Sequence, residues 1–449
     1  MRRAARPLLY GGTIAIVLLL AKVHAAYIGH YVLHSTEPSR AVWTAGYVVL
    51  LALCSYAVGL PDLPRTNRQA LTSAVLAPVG AAAAISLIQL IVGDALLPRF
   101  VVFGSVLLVV PWNLLCVAIA WGGRTQGERR DRVVLVAAPG EAAELTDDLD
   151  ANPERPAVLL ASMTVAEASP LDARSKPLVE RLTSIGATLV VLDREALAAP
   201  AIVAQAASLH EVGVRVRPLS LFYEEWLGKV PLSELERASL LFDIRELHGF
   251  RYARLKRMFD IALGIAGLVA LVLVEPIVLI GNQFGNKGPL LFRQQRVGKN
   301  GRVFEVLKFR TMRPDGAVPE GDERGSWTQQ DDPRITTFGR TLRKTHIDEL
   351  PQLWNVLFGD LSIVGPRPEQ PQYVEELSEK LPFYSLRHLV RPGLTGWAQV
   401  KYGYAGDERD ALEKLQYDFW YLRRQSLALD VRIVGRTLRS VTGQEGGGR

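Results

Sequence analysis

Two adjacent carboxylates, Asp348 and Glu349, stand in the run Thr345-His346-Ile347-Asp348-Glu349-Leu350-Pro351-Gln352-Leu353-Trp354-Asn355-Val356. Pro351 suits the first position of a short helix, because its missing N–H would be unpaired there and its φ is already helical. Gly359 suits the stop. The pair then lies at or just before a helix N-terminus, where outward N–H groups favour negative charge, phosphate included. Neighbours on a helix do not share a face. Two carboxylates pointing apart can take two roles, one attacking and the other holding a metal.

Basic residues around the pair fit phosphate. Arg367 sits between Pro366 and Pro368, which pin its backbone, and a rigid guanidinium suits bidentate phosphate or uracil contact. Lys308 and Arg310 flank Phe309, so on a strand they share one face. Arg334 and Arg343 complete the candidate phosphate and nucleotide set. His346 has no required role, because attack by an ionised carboxylate needs no base. His388 lies in an amphipathic stretch suited to a membrane surface.

These residues must be held by the rest of a 449-residue chain that is 49% hydrophobic with a formal net charge of +6. No Arg/Lys-rich tract with interleaved aromatics appears, which argues against nucleic acid. Cys54 and Cys116 lie in apolar stretches and imply neither a disulfide framework nor a thiolate metal site. Apolar runs near 8–29, 43–60, 72–97 and 101–121 approach or exceed the roughly 20 residues a helix needs to cross a bilayer. Arg2, Arg3 and Arg6 precede the first; Arg124, Arg129, Arg130 and Arg132 follow the fourth. The positive-inside rule puts both ends in the cytoplasm, as an even number of crossings requires.

Residues 132–220 change character. Val133–Val136, Val158–Leu160 and Ala187–Leu192 read as buried strands, with Val214–Val216 a weaker fourth. Segments near 141–152, 174–185 and 199–210 read as helices, and the alternation predicts a small Rossmann-like α/β domain. The turn Ala137-Ala138-Pro139-Gly140-Glu141 lacks the G-x-G-x-x-G of a dinucleotide site. A fifth apolar run at 261–281 follows Arg251, Arg254, Lys256 and Arg257 and is interrupted by Glu275-Pro276, where proline removes a helical hydrogen bond.

Seven segments, in order, resemble the bacterial sugar transferase family, the monotopic polyprenyl-phosphate glycosyl-1-phosphate transferases. They are Lys256-Arg257-Met258-Phe259-Asp260, Phe292-Arg293-Gln294-Gln295-Arg296-Val297-Gly298, Lys308-Phe309-Arg310-Thr311-Met312 and Asp332-Pro333-Arg334-Ile335-Thr336. The Asp348-Glu349 run, Gly365-Pro366-Arg367-Pro368 and Arg391-Pro392-Gly393-Leu394-Thr395-Gly396 complete them. The resemblance covers about Leu255 to Thr442, and the upstream half resembles, loosely, the accessory half of the family's larger members.

The resemblance implies transfer of a sugar-1-phosphate from a UDP-sugar to polyprenyl (undecaprenyl) phosphate, releasing UMP. Asp348 would be the nucleophile, forming a phospho-aspartyl intermediate, and Glu349 the Mg²⁺ ligand. It implies a mostly helical catalytic domain held to the bilayer by a re-entrant helix broken at Glu275 and Pro276, where the family usually has Ser before the proline. The expected domains are 1–125 (four transmembrane helices), 126–248 (accessory α/β domain) and 249–449 (re-entrant helix and catalytic domain). The expected setting is the bacterial inner (cytoplasmic) membrane, with membrane lipid as a partner, the catalytic domain facing the cytoplasm, and a homodimer left open. The alternative is a membrane glycosyltransferase that releases UDP, which would normally show an Asp-x-Asp in the α/β region.

Overall fold

The apolar runs at the start of the chain form helices in the computed structural model. It describes residues 5–28, 38–61, 67–92, 97–121, 130–152, 156–170, 175–209, 213–231, 250–286, 288–313, 334–381, 383–402 and 408–441. Arg2, Arg3, Arg124, Arg129, Asp332, Pro333 and the tail from Gly443 lie outside them, as do the domain boundaries near 125 and 248.

Four helices come first: α1 (Ala5–Val23), α2 (Pro38–Ala57), α3 (Asn67–Val92) and α4 (Arg99–Trp121). A helix satisfies its backbone polar groups internally, which lipid requires. Their inner faces meet through Val17, Tyr47, Leu51, Ile85, Val101 and Val102. Leu18, Leu19, Val49, Leu90 and Leu107 stay exposed, as lipid-facing side chains would. Among the described residues, four helices are long and apolar enough to cross a membrane: Ala5–Tyr27, Asn67–Leu90, Arg99–Trp121 and Tyr252–Gly285. The second predicted span, 43–60, falls short as a helix; its apolar part is Ala41–Ala57. The chain turns directly after it at Gly59, whose φ of +80° glycine adopts without strain.

By contact the chain falls into two compact units, 1–123 with 243–449, and 124–242. The second unit is a parallel sheet in the order β2-β1-β3-β4, with β1 (Asp131–Val136), β2 (Ala157–Met163), β3 (Leu189–Leu192) and β4 (Arg215–Pro218). Val133 to Val136 are all buried because both faces of β1 are covered. Leu145 and Leu149 of α5 (Pro139–Ala151) pack on one face. Leu178 and Leu182 of α6 (Pro177–Ile185), with Ile202 and Leu209 of α7 (Pro200–Leu209), pack on the other. The N–H of Ala138, just ahead of α5, donates to Asp193 Oδ2 at 3.1 Å. A carboxylate therefore stands where a dinucleotide fold would bring phosphate to a helix N-terminus.

In the first unit, α8 (Phe250–Gly285) is a single 36-residue helix. The predicted break at Glu275-Pro276 does not interrupt it. Packing carries it through: Leu271 before the proline and Val278 after it bury in one cluster with Phe309 and Leu342. One face of α8 lies against the elements that follow it along much of its length. A Cβ on Gly264 or Gly267 would meet Leu357 or Leu353 within 2.8 Å, and Gly281 and Gly285 lie as tightly on Phe338. Met258, Ile265, Val272, Leu273, Ile277, Ile280 and Phe284 face outward and are exposed.

After α8 come the antiparallel hairpin β5 (Leu291–Val297) and β6 (Val303–Phe309), α9 (Thr337–Lys344), a 3-10 turn Ile347–Gln352 and α10 (Leu353–Phe358). A short parallel pair follows, β7 (Ser362–Val364) with β8 (Gly393–Thr395), then α11 (Glu408–Arg423) and α12 (Leu427–Val441). Helix α12 packs on α2. A Cβ on Gly435 would lie 2.4 Å from the Ala57 carbonyl oxygen, and Arg432 Nη2 donates to Tyr56 Oη at 3.1 Å.

Candidate active site

The carboxylate pair sits in the first turn of the 3-10 segment rather than ahead of a helix. The expected start at Pro351 is four residues late, because the turn opens at Ile347 with Glu349 N–H bonded to the His346 carbonyl. Pro351 falls late in the turn, two residues ahead of α10, where its fixed φ is already helical. His346 caps the turn with φ +56°, a left-handed value that non-glycine residues seldom adopt. Strain of this kind gathers at functional sites. Gly359 ends α10 as expected, with φ +95°.

Three elements converge on Glu349. Lys308 Nζ, from β6, lies 2.8 Å from its Oε1, and Arg367 Nη2, from the loop after β7, lies 3.0 Å from the same oxygen. Burial alone would push the Glu349 carboxyl up. The Arg367 and Lys308 charges and their hydrogen bonds overcome it and hold the group well below the usual carboxylate range. For Lys308 burial wins and lowers the ammonium pKa, although Glu349 opposes it.

Asp348 is 9% exposed and behaves oppositely. Burial pushes its carboxyl up and the adjacent Glu349 charge adds to that, while Lys308, Arg343 and His346 offset it only in part. The surroundings therefore push the two adjacent carboxylates apart in basicity. Arg343 is oriented by its Nε bond to Thr311 Oγ1, 2.9 Å.

The loop bearing Arg367 is held by its backbone. Gly365 N–H donates to Thr395 O and Gly393 N–H to Pro366 O, each at 2.9 Å. Arg387 Nη2 reaches the Arg367 carbonyl and Arg296 Nη1 the Pro368 carbonyl, both at 3.0 Å. A Cβ on Gly393 would lie 2.1 Å from Gly365 N, so the two glycines are needed for the close approach of these strands.

The structure brings together Lys308, Arg343, Asp348, Glu349 and Arg367. It does not add Arg310, a correction to the phosphate set. That side chain turns away to Pro289 O, Met312 O, Asn282 and Asn286, and its donors tie the end of α8 to β6. Arg310 follows the last residue of β6, so strict alternation with Lys308 no longer fixes its direction. Arg334 offers its backbone carbonyl to Arg313 N–H at 3.0 Å beside the Met312–Ile335 bridge. Pro366 and Pro368 serve through their carbonyls. His388 is half-buried, edge-on to the Tyr384 ring, and burial and the Arg387 charge lower its pKa to about 4.

Sequence reasoning missed Asn355, Arg387 and Asp418. Asn355 carried a signal: a carboxamide amid buried helix positions must find a partner. Arg387 and Asp418 carried none, being far apart in sequence and joined only by the fold.

Among the described residues no three His, Cys, Asp or Glu side chains gather as a metal cage. Magnesium needs less, because it keeps water and phosphate oxygens and takes one or two carboxylates. Both cations meet Glu349 at Oε1 and neither at Oε2, so the donor set fits such an ion.

Residues 251–444 match the family described as bacterial sugar transferase. Over 194 residues the chain is 44% identical to the UDP-N-acetylgalactosamine-undecaprenyl-phosphate N-acetylgalactosaminephosphotransferase of Aeromonas hydrophila, which covers 42% of this chain and 44% of that protein. Over 227 residues it is 39% identical to the UDP-glucose:undecaprenyl-phosphate glucose-1-phosphate transferase of Xanthomonas campestris pv. campestris, covering 49% and 44%. Over 197 residues it is 40% identical to the sugar transferase EpsL of Bacillus subtilis strain 168, covering 43% of this chain and 89% of the relative. The match thus spans under half of the first two relatives and nearly all of the third. On the profile match and on these identities, the chain belongs to the bacterial sugar transferase family.

Proposed function

We propose that this protein transfers a sugar-1-phosphate from a UDP-sugar to undecaprenyl phosphate and releases UMP, the first membrane step of an exopolysaccharide, capsule or O-antigen. The observation that carries the reading is the buried Asp348 beside a Glu349 held by Lys308 and Arg367. An Asp348 carboxylate oxygen attacks the phosphorus that bears the sugar. The bond from that phosphorus to the UMP oxygen breaks, and UMP leaves with the electron pair. A lipid phosphate oxygen then attacks the same phosphorus, the aspartyl–phosphorus bond breaks, and a polyprenyl diphosphosugar forms with Asp348 restored.

Lys308, Arg343 and Arg367 supply fixed positive charge in a site with little water, where it is worth most. Mg²⁺, held by Glu349, would offset charge on the diphosphate. Burial and the Glu349 charge raise the Asp348 pKa, which favours nucleophilicity, and Lys308 and Arg343 oppose that rise.

We read α8 as keeping both its ends on one side of the bilayer, the outcome expected of the re-entrant helix, without a break at Glu275-Pro276. In support, the face that packs on the catalytic elements runs from Gly264 to Gly285. At 1.5 Å per residue that is about 32 Å, the full thickness of a bilayer's hydrocarbon. A transverse helix would drag α9 and α10 into lipid with it. The outward apolar face, with exposed Trp354 and Phe358 of α10, suits a helix lying in one leaflet instead. The catalytic segment then faces the cytoplasm of the inner membrane, where UDP-sugars are made. The sheet order β2-β1-β3-β4 with helices on both faces supports a Rossmann-like accessory domain. Single cysteines at Gly140 and at the exposed Lys299, beside Gly298, in a Cys54→Ala/Cys116→Ala background are expected to resist a membrane-impermeant thiol reagent in intact cells and to react once the cells are opened. Labelling of intact cells at 299 alone would show a full fifth crossing.

The function is tested with purified full-length protein in detergent, Mg²⁺, undecaprenyl phosphate and either UDP-glucose or UDP-N-acetylgalactosamine. Stoichiometric UMP with a lipid-linked sugar phosphate is expected. UDP as the released nucleotide would establish the glycosyltransferase alternative.

A further inference from the structure

Of the two cations that meet Glu349, Lys308 comes from β6, while Glu349 itself comes from the 3-10 turn, and these two elements are far apart in sequence. Asn355, in α10 directly after that turn, bonds to the strand. Its Nδ2 donates to the Glu305 carbonyl at 2.7 Å, and its Oδ1 accepts from Leu307 N–H at 3.2 Å. The side chain is only 5% exposed.

Strand register explains why β6 has these groups to offer. In the β5–β6 ladder Phe292 pairs with Lys308, Gln294 with Val306 and Arg296 with Phe304, and Arg310 N–H bonds to Leu290 O at 3.0 Å. In an antiparallel pair the backbone groups of alternate residues point to the partner. Those of 304, 306, 308 and 310 therefore face β5, and those of 305 and 307 face away. Asn355 meets that outward edge at 305 and 307, as a neighbouring strand's peptide group would. One carboxamide thus fixes where the edge of β6 lies against α10, and Lys308 is the next residue along.

We propose that Asn355 is a positioning residue for the transfer reaction: it sets β6 against the 3-10 turn and α10 so that the Lys308 ammonium reaches Glu349 Oε1. The inference rests on the proposed function, because it gives Lys308 a part in turnover. Asn355 touches no substrate; it acts through Lys308. Arg257, whose guanidinium donates to the Val356 and Leu357 carbonyls at 2.6 Å each, holds the far end of the same short helix. Asn355 is distinct in bridging to the strand that carries the cation.

A double-mutant cycle on the full-length protein in detergent tests this, with UMP release as the readout and UDP-glucose or UDP-N-acetylgalactosamine as donor, whichever the wild type turns over. Lys308→Met is expected to lower kcat/KM about 100-fold, as the loss of a fixed charge at a phosphoryl-transfer site does. Asn355→Ala is expected to lower it about tenfold, the effect of a misplaced group. In the double variant the two losses should not multiply: kcat/KM within about threefold of Lys308→Met alone supports the inference, since residues acting as a unit are non-additive. A purely structural role would weaken both backgrounds equally, and a multiplicative loss overturns the inference. Asn355→Asp keeps the acceptor for Leu307 N–H and loses the donor to Glu305 O. It runs through the same cycle with the same criterion if the alanine variant does not fold. Lys308→Met with wild-type turnover would instead sink the reading of the site, and the role of Asn355 with it.

Discussion

Asp348→Asn is expected to reduce turnover by about ten-thousand-fold or more while the protein still folds and inserts, because an amide cannot form the acyl phosphate. The geometry makes this a clean experiment. Asn has nearly the shape of Asp, and the position is almost buried. In the native protein the carboxyl is pushed up by burial and by Glu349, so its ionised form is less favourable there than in the unfolded chain. Removing the charge should leave thermal stability unchanged or slightly higher, the usual trade between activity and stability at a site. Glu349→Gln should behave differently. It removes the shared partner of Lys308 and Arg367, both largely shielded from solvent. A stability loss of about 1–3 kcal/mol is expected beside an activity loss of about a thousandfold. The measurements are UMP release at matched protein levels and thermal unfolding in detergent. Asp348→Asn turning over within tenfold of wild type would end the nucleophile assignment.

The second large effect is expected behind Arg367 rather than at the chemistry. Arg387 and Asp418 form a nearly solvent-free pair, with Nη2 to Oδ2 at 2.8 Å. The same Nη2 holds the Arg367 carbonyl, and the Tyr384 hydroxyl closes the cluster. Burial pushes the Asp418 carboxyl up to about 6, with Arg387 pulling the other way. Arg387→Met strands that carboxylate and should cost about 3–5 kcal/mol, the usual penalty for breaking a buried pair from one side. Asp418→Asn keeps the acceptor oxygen and should cost less. Arg387→Met/Asp418→Leu should recover part of the loss, because replacing both charges by apolar groups removes the stranded one. Turnover should fall in every variant lacking Arg387, even the restabilised one, since the Arg367 carbonyl then loses the Arg387 donor. The readouts are the midpoint of thermal unfolding and UMP release. Full activity in the restabilised double variant would show that the Arg367 loop needs no such support.

Much of this molecule is legible before any coordinates. Long apolar runs can only be helices if they are to meet lipid, so α1, α3 and α4 were readable from length and composition. Fully buried strands announce themselves as unbroken Val and Leu, hence Val133–Val136. The two carboxylates, Lys308 and Arg367 stand in segments that resemble the bacterial sugar transferase family, and that resemblance, rather than residue type alone, marks them out. Local chemistry also fixed the stop at Gly359.

Other features depended on what lies across the fold. The start of the turn moved from Pro351 to Ile347, because backbone bonding to the strained His346 outweighed the proline preference. Arg310 shares a sequence motif with Lys308 but was captured by Asn282 and Asn286 at the end of α8, a contact no local pattern encodes. The proline at 276 left α8 running on, because Leu271 and Val278 had burial to gain on either side of it. Which oxygen of Glu349 receives which cation, and which side chain holds β6 in reach, follows from three elements meeting in space. Periodicity and propensity act within a few residues, whereas charge, desolvation and packing act on whatever the chain brings within a few ångströms.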